Sequence, residues 1–323
     1  MNILVTGGAG YIGSTTVKRL IEQGHTVTVY DNLVYGHEDA VECELIKGDL
    51  VDKDFLFSSL EGKSFDAVIH FAAYAQAGES VQNPYKYFYN NIVGGLNLLE
   101  LMVKENIKYI IFSSTCAIFG TPDPLPVTED STKHPESPYG ESKLMFEKIL
   151  AWYDTIYGIK HVNLRYFNAA GAGLEGDLGE RHDPETHIIP IAIQVALGNK
   201  DSFSLFGTDY PTKDGTCIRD YIHIEDLAIG HIQALDHVMK ENKSNAFNLG
   251  TGNGYSNREV VDMVKKVSGV DFKVEEKERR AGDPPMIYAD NTKAKNFLGF
   301  DPQYSDLETI VTSAYNWHKK HSS

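Results

Sequence analysis

The chain has 323 residues, 42% of them hydrophobic and 23% charged, with a formal net charge of -15. That length buries enough surface to fold without staples, and the acidity excludes an extended polyanion-binding groove while allowing a local basic pocket. Three widely spaced cysteines, Cys43, Cys116 and Cys217, exclude a disulfide framework and point to a reducing compartment. The first apolar run, Ile3-Leu4-Val5, begins at once, so no signal peptide is expected, and no apolar stretch approaches the roughly 18 residues of a membrane span. The expectation is a cytoplasmic α/β protein with no nucleic-acid or membrane partner.

In chain order, Ile3–Thr6 reads as a strand, Ser14–Gln23 as a helix with Val17, Leu20 and Ile21 on one side, and Thr26–Tyr30 as a second strand. Further strands are expected at Glu44–Ile46, Ala67–Phe71, Tyr109–Ser113 and Val162–Tyr166, with helices at Tyr85–Asn106 and Tyr139–Tyr157. Such alternation predicts a parallel sheet with helices on both faces. After Asn168 the rhythm changes to a polar loop over Ala169–His187, a helix at Pro190–Leu197, a strand at Phe203–Phe206 and a turn at Asp209-Tyr210-Pro211. Ala246–Leu249 reads as a strand returning to the first sheet. Asn257–Ser268 and Asp306–His318 read as helices, the latter with Ser305 at its cap and Glu308 at the capping-box position.

Between the first strand and helix lies Thr6-Gly7-Gly8-Ala9-Gly10-Tyr11-Ile12-Gly13, satisfying both Gly8-x-Gly10-x-x-Gly13 and Gly7-x-x-Gly10-x-x-Gly13. Glycines are needed where the chain turns tightly, where backbone approaches a pyrophosphate and where helix meets strand. The helix N-terminus then offers free N–H groups to phosphate. Asp31 ends the second strand, where a carboxylate accepts from an adenosine ribose and repels a 2′-phosphate, so NAD is favoured over NADP.

Pro138-Tyr139-Gly140-Glu141-Ser142-Lys143 opens a helix on which Tyr139 and Lys143, at i and i+4, share a face. A neighbouring ammonium and a positive nicotinamide both favour a phenolate, which makes Tyr139 an acid/base for an alcohol. Thr115, at the end of the Phe112-Ser113-Ser114-Thr115 strand, stands where it can bond the reacting hydroxyl.

These motifs, with Gly48-Asp49-Leu50, His70-Phe71-Ala72-Ala73, Gly78-Glu79-Ser80-Val81, Asn90-Asn91, Leu164–Asn168, Phe206–Tyr210, Arg219–His223 and Arg280–Asp283, cover nearly the whole chain. It resembles the extended short-chain dehydrogenase/reductase family, and within it the UDP-hexose 4-epimerases. The resemblance implies a Rossmann-type doubly wound sheet over 1–168 and a smaller C-terminal α/β substrate domain, mainly 169–323. It implies tightly bound NAD held by Gly7, Gly10, Tyr11, Ile12, Gly13, Asp31, Asn32, Asp49, Leu50, Phe71, Ala72 and Ala73. Asn90, Ser113, Tyr139 and Lys143 would reach its inner half, with Tyr166 and Phe167 near the nicotinamide. Thr115, Tyr139 and Lys143 would be catalytic, and a UDP-hexose would be held by Asn168, His187, Ile188, Phe206, Arg219, Arg280 and Asp283 together with Thr115 and Tyr139. The two arginines supply forks suited to a diphosphate. A homodimer is also implied.

Some positions depart from the family pattern. Thr115 replaces a frequent Ser, Ala75 a cofactor-side Lys, and His187 a frequent Asn. Ile287 falls where a Tyr excludes N-acetyl sugars and a small residue admits them, so a UDP-N-acetylhexosamine 4-epimerase stays open as an alternative. A 4,6-dehydratase needs an Asp-Glu pair after the Thr, where this chain has Cys116-Ala117. A non-catalytic NAD-responsive module would leave the Tyr/Lys pair unexplained. No metal is expected: His182 and His187 lie near Asp183 and Glu185 without a recognised ligand spacing, which reads as loop polarity. Cys116 reads as a packed small residue, and Tyr85, Tyr87 and Tyr89 as packing.

Overall fold

The computed structural model describes residues 1–280 and 283–321, so Ala281 and Gly282 of the Arg280–Asp283 motif lie outside the described residues. Strands β1 (Asn2–Thr6), β2 (Thr26–Asp31), β3 (Glu44–Lys47), β4 (Ala67–His70), β5 (Tyr109–Thr115) and β6 (Lys160–Tyr166) form the first half. They alternate with helices α1 (Tyr11–Glu22), α2 (Lys53–Leu60), α3 (Ala77–Gln82), α4 (Pro84–Phe88), α5 (Gly94–Lys104) and α6 (Pro138–Tyr157). The chain continues through β7 (Asn168–Ala170), α7 (Ile188–Ala196), β8 (Phe203–Phe206), β9 (Ile218–Arg219), β10 (Tyr221–His223) and α8 (Ile224–Glu241). It finishes with β11 (Asn245–Leu249), β12 (Tyr255–Ser256), α9 (Asn257–Ser268), β13 (Val274–Lys277), β14 (Met286–Ile287), α10 (Thr292–Leu298) and α11 (Leu307–His321).

Seven strands make one all-parallel sheet in the order β11-β6-β5-β4-β1-β2-β3. Strands covered on both faces need continuous apolar runs, and Ile3-Leu4-Val5, Ala67-Val68-Ile69 and Ile110-Ile111 are fully buried. Alternate side chains serve opposite layers. Ile3, Val5, Ile69 and Ile111 pack with Val17 and Leu20 of α1 and Leu227 and Leu235 of α8. Leu4, Val68, Ile110 and Phe112 pack with Leu56, Leu98, Leu101 and Phe146 of α2, α5 and α6. A third cluster joins Ile193, Phe203, Val264 and Ile310 of α7, β8, α9 and α11. Among the described residues, no helix is long and apolar enough to cross a membrane.

The strand order reverses between β1 and β4, the crevice where doubly wound sheets take ligands at their carboxyl ends.

Several elements differ from the sequence reading, each for a physical reason. Helix α1 begins at Tyr11 rather than Ser14, because Gly10 is its N-cap and the glycine loop runs straight into it. The single helix expected over Tyr85–Asn106 is α4, a π turn at Tyr89–Val93 and then α5. Gly95 lets this segment close on α6, since a Cβ there would stand 2.3 Å from the Phe146 ring. Tyr85 and Tyr89 stack on each other at 5.4 Å, whereas Tyr87 is buried and donates its hydroxyl to Glu79 at 2.7 Å. Ser305 does not cap α11: its hydroxyl donates to Asp226 and accepts from the His223 amide, and Asp306 accepts from Thr309 N instead. Helices α2, α3, α8 and α10 lie outside the elements expected from the sequence.

Asp220, between β9 and β10, fastens the edge strand to the C-terminal elements. Its fully buried carboxylate accepts from Thr251 N and Oγ1, Gly252 N and Ala289 N. Burial pushes its pKa up to about 6 in spite of these bonds. Asp220→Ala strands those donors and should cost about 3 kcal/mol of stability, read from the urea midpoint. Between about pH 4 and pH 6 the unfolded chain has released this proton while the folded chain keeps it, so the group's contribution falls as pH rises. The stability gap between parent and variant should therefore narrow across that window; a widening gap contradicts the assignment.

Candidate active site

The glycine loop sits at the switch point because it has no side chains to hold it off. Gly7 adopts φ +72°, and a Cβ there would lie 2.4 Å from the amide nitrogen of Ala72, just beyond β4. At Gly13 a Cβ would stand 2.3 Å from the Gly7 carbonyl oxygen. Gly10 gives α1 no side-chain cap, and the first turn, which includes Tyr11, Ile12 and Gly13, carries no acid. Its amides and the positive dipole end are left for an anion.

Asp31, buried at the end of β2, accepts from Ala9 N at 3.0 Å and Leu33 N at 2.8 Å. Burial raises its pKa, and the two backbone bonds pull it back. Asp49 accepts from Asn32 Nδ2 at 3.1 Å and Val51 N at 3.1 Å, beside the buried Leu50. The Phe71 and Ala72 amides both donate to Thr6 O, while the Phe71 ring packs on His231 at 4.6 Å. Ala73 follows on the same exit from β4. Clash-free glycines, an uncapped helix start and a buried carboxylate at the ribose position fit NAD.

Tyr139 and Lys143 lie in the first turns of α6, whose N-cap Ser137 accepts from Gly140 N at 3.2 Å. Thr115, at the end of β5, lies near the Tyr139 phenol and accepts from Ala117 N at 3.1 Å. Ser113 and Tyr166 share a hydroxyl–hydroxyl bond. Lys143 is buried; its ammonium donates to Ser113 O at 2.7 Å and lies 4.8 Å above the Phe112 ring. Burial dominates both groups. It pushes the Tyr139 phenol up, with Tyr166 adding to the rise and Thr115 opposing it, and it pulls Lys143 down to about 7 against the charge of Glu147. The ammonium is spent on a carbonyl, so it does not by itself deliver the phenolate that the Tyr-x-x-x-Lys spacing predicts. Cys116 is no thiolate: burial pushes its thiol up to about 12.

Asn91 was not singled out by the sequence reading, and it locks this corner. Its side chain accepts from Tyr74 N, donates to Tyr74 O and donates to Ser142 Oγ of α6, while Asn90 donates to it at 3.1 Å. The Asn90-Asn91 pair was visible, but which asparagine turns inward depends on the π turn.

A cavity of about 680 Å³ is lined by Asn168, His187, Ile188, Phe206, Arg219, Arg280 and Asp283 among others. Arg280 stacks on Phe206 at 4.1 Å, and Arg219 donates to Pro284 O at 2.8 Å and pairs with Asp283 at 3.4 Å. Ile287 is not in that lining. It is 5% exposed and packs with Phe167, Leu144 and Ala289, because β14 pairs with β9 and carries it inward.

The acidic and histidine residues of the 169–187 loop converge, which loop polarity alone does not explain. Glu180 is buried and accepts from His187 Nδ1 at 2.6 Å and His182 Nδ1 at 2.9 Å, and Glu185 lies 3.1 Å from His187. Burial opposes the His187 imidazolium, but the two carboxylates outweigh it and raise its pKa well above the usual value. These side chains satisfy one another through hydrogen bonds, with His187 between two carboxylates. Although Glu180, His182, Glu185 and His187 place ligand atoms within 4.8 Å of one another, nothing in their bonding requires a metal.

A glycine cradle at the switch point of a doubly wound sheet, beside a Thr/Tyr/Lys cluster, defines a dinucleotide-dependent enzyme. The chain belongs to the NAD dependent epimerase/dehydratase family, which it matches over residues 3–250. It is 48% identical over 323 residues to a UDP-glucose 4-epimerase of Lactobacillus helveticus, covering 99% of this chain and 98% of the relative. The crystal structure of UDP-glucose 4-epimerase from Brucella ovis in complex with NAD superposes with a TM-score of 0.94 at 48% identity, covering 97% of each chain. The Bifidobacterium longum UDP-glucose 4-epimerase in complex with NAD+ and UDP gives a TM-score of 0.94 at 37% identity, covering 100% of this chain and 99% of that one.

Gly13→Val places side-chain carbons on the Gly7 carbonyl. The variant should bind NAD at least about tenfold more weakly than the parent, a loss of about 1.4 kcal/mol or more, measured by titrating the cofactor-stripped proteins.

Proposed function

We propose that the chain interconverts UDP-galactose and UDP-glucose by inverting C4 through a 4-keto sugar. The observation that carries this is the grouping of Thr115 at the carboxyl end of β5 with Tyr139 and Lys143 on α6, Lys143 being docked on Ser113 O of the same strand, in a chain whose C-terminal half offers a cavity with two arginines. Residues 1–168 with β11 form the cofactor-holding part in this reading, and 169–323 mainly the sugar-nucleotide part.

Bound NAD supplies a reversible two-electron acceptor that is restored within each cycle. Gly7, Gly10 and the first-turn amides of α1 hold its pyrophosphate, and Asp31 accepts from its ribose. Tyr139 takes the C4 hydroxyl proton as the sugar is oxidised and gives it back to the C4 oxygen once the turned 4-keto sugar has been reduced on its other face, with Thr115 beside it as the relay. Because burial disfavours the phenolate, Tyr139 depends on positive charge nearby, and Lys143 is the polypeptide's contribution. Arg219 and Arg280 grip the diphosphate while the hexose turns about its link to it.

A UDP-N-acetylhexosamine is a second reading, favoured by one observation. Ile287 is buried and packs with Phe167 and Leu144, and an isoleucine there fills less space than a tyrosine would. We also read the enzyme as a cytoplasmic homodimer. Val81, Tyr85, Trp152 and Ile156 expose 63–73% of their surface on α3, α4 and α6, more than an isolated chain needs.

Purified protein given UDP-galactose without added NAD should form UDP-glucose; a 4-keto-6-deoxy product or no reaction overturns the reading. UDP-N-acetylgalactosamine in the same assay decides the second. Tyr139→Phe should keep its NAD and lose about 10²–10⁴ in kcat. Trp152→Glu with Ile156→Glu should halve the mass seen by sedimentation if these residues build the dimer.

A further inference from the structure

Behind the Tyr139–Lys143 pair lies a buried ionic cluster that the proposed mechanism does not use. Glu147 sits one helical turn beyond Lys143 on the same face of α6. Its carboxylate is 6% exposed and takes a bidentate grip from Arg165, at 3.0 Å from Nε and 2.6 Å from Nη2. The Ser114 hydroxyl donates to it at 2.6 Å. Ser114 and Arg165 are register partners on β5 and β6, so two neighbouring strands hold one carboxylate of the helix lying across them. Arg165 also donates to Glu129 O, and Glu129 in turn accepts from Asn248 N of β11.

The neighbouring rung of β5 holds the lysine: Ser113 O accepts from Lys143, and Ser114 donates to Glu147. A buried ion pair is a costly way to dock a helix, and apolar residues of similar size often do as well. Its retention beneath an acid/base pair therefore asks for a role in that pair. We propose that Glu147, held by Arg165 and Ser114, is a positioning residue: it fixes on β5 the turn of α6 that carries Lys143, one rung from the Ser113 carbonyl that holds the ammonium, and sets the charge around that ammonium. This rests on the proposed function for Tyr139 and Lys143.

The surroundings of Lys143 leave Glu147 as its acidic neighbour. From β4 it meets His70, which burial and then Lys143 itself hold down to about 3, and hence neutral. From β5 it meets the Ser113 carbonyl and the Phe112 ring. From β6, Arg165 spends its charge on Glu147, and Tyr166 is an un-ionised phenol bonded to Ser113. On its own helix lie Tyr139 and Glu147, and Glu147 is what favours its charged form.

The test is the ε-carbon NMR resonance of Lys143 in lysine-labelled holoenzyme, followed against pH beside the pH profile of kcat. In Glu147→Gln the Lys143 midpoint should fall by about one unit or more, and the alkaline limb of kcat should move down with it while KM for UDP-galactose holds. Glu147→Asp should restore both in part. A double variant, Glu147→Leu with Arg165→Leu, removes both charges without leaving either buried and unpaired, and should keep the lowered midpoint. An unmoved midpoint with activity lost equally at every pH makes Glu147 a structural residue and overturns the proposal, as does a double variant with the parent's midpoint. If Glu147→Gln does not fold, the double variant decides alone. Because the midpoint needs no turnover, its outcome is separate from failure of the parent to convert UDP-galactose.

Discussion

One carbon atom at position 7 would force β1 and β4 apart. Gly7 and Ala72 meet backbone to backbone at the point where the sheet reverses its strand order, and the left-handed turn at Gly7 makes the contact possible. From that contact the other features follow in sequence. The loop can pass directly into α1, α1 can begin uncapped, and the helix dipole is aimed at the crevice rather than absorbed by a side chain. Asp31 then reaches the loop amide of Ala9 from β2, and β5 brings Thr115 to the same edge of the sheet.

The site is a competition between burial and charge, and burial wins wherever no opposite charge is in contact. Tyr139, Lys143, His70 and Cys116 are all driven toward their neutral forms by desolvation. His187 is driven the other way, because two carboxylates converge on it. The chemistry-bearing corner thus starts out electrically quiet, whereas the wall of the cavity carries the guanidinium groups of Arg219, paired with Asp283, and Arg280, stacked on Phe206. An overall acidic protein concentrates its cations where an anion must sit.

Much of this was legible in the sequence where local rules govern. The apolar runs of β1, β4 and β5 announce a sheet covered on both faces, and the glycine spacing announces the turn at its switch point. Tyr139 and Lys143 share a face because four residues make about one helical turn. What the sequence hid depends on distant partners. Helix α8 went unseen because its N-cap is the His223 ring, which accepts from Glu225 N, and histidine is no usual start signal. Ser305 looked like a cap until tertiary structure claimed its hydroxyl for Asp226. Ile287 turns inward because of its pairing with β9, and Glu180 gathers two imidazoles from a loop whose path no local pattern encodes.

Helix α1 is stitched to the second half of the chain along its length. The Tyr11 hydroxyl donates to Gly171 O at 2.5 Å, Lys18 binds Asp177 at 2.6 Å, and Arg19 binds the buried Glu225 at 2.7 Å. The element whose tip faces the dinucleotide is therefore also the element that fastens the two parts of the molecule together. A substitution that loosens this seam therefore disturbs the glycine cradle and the domain contact together, so the two cannot be tuned apart.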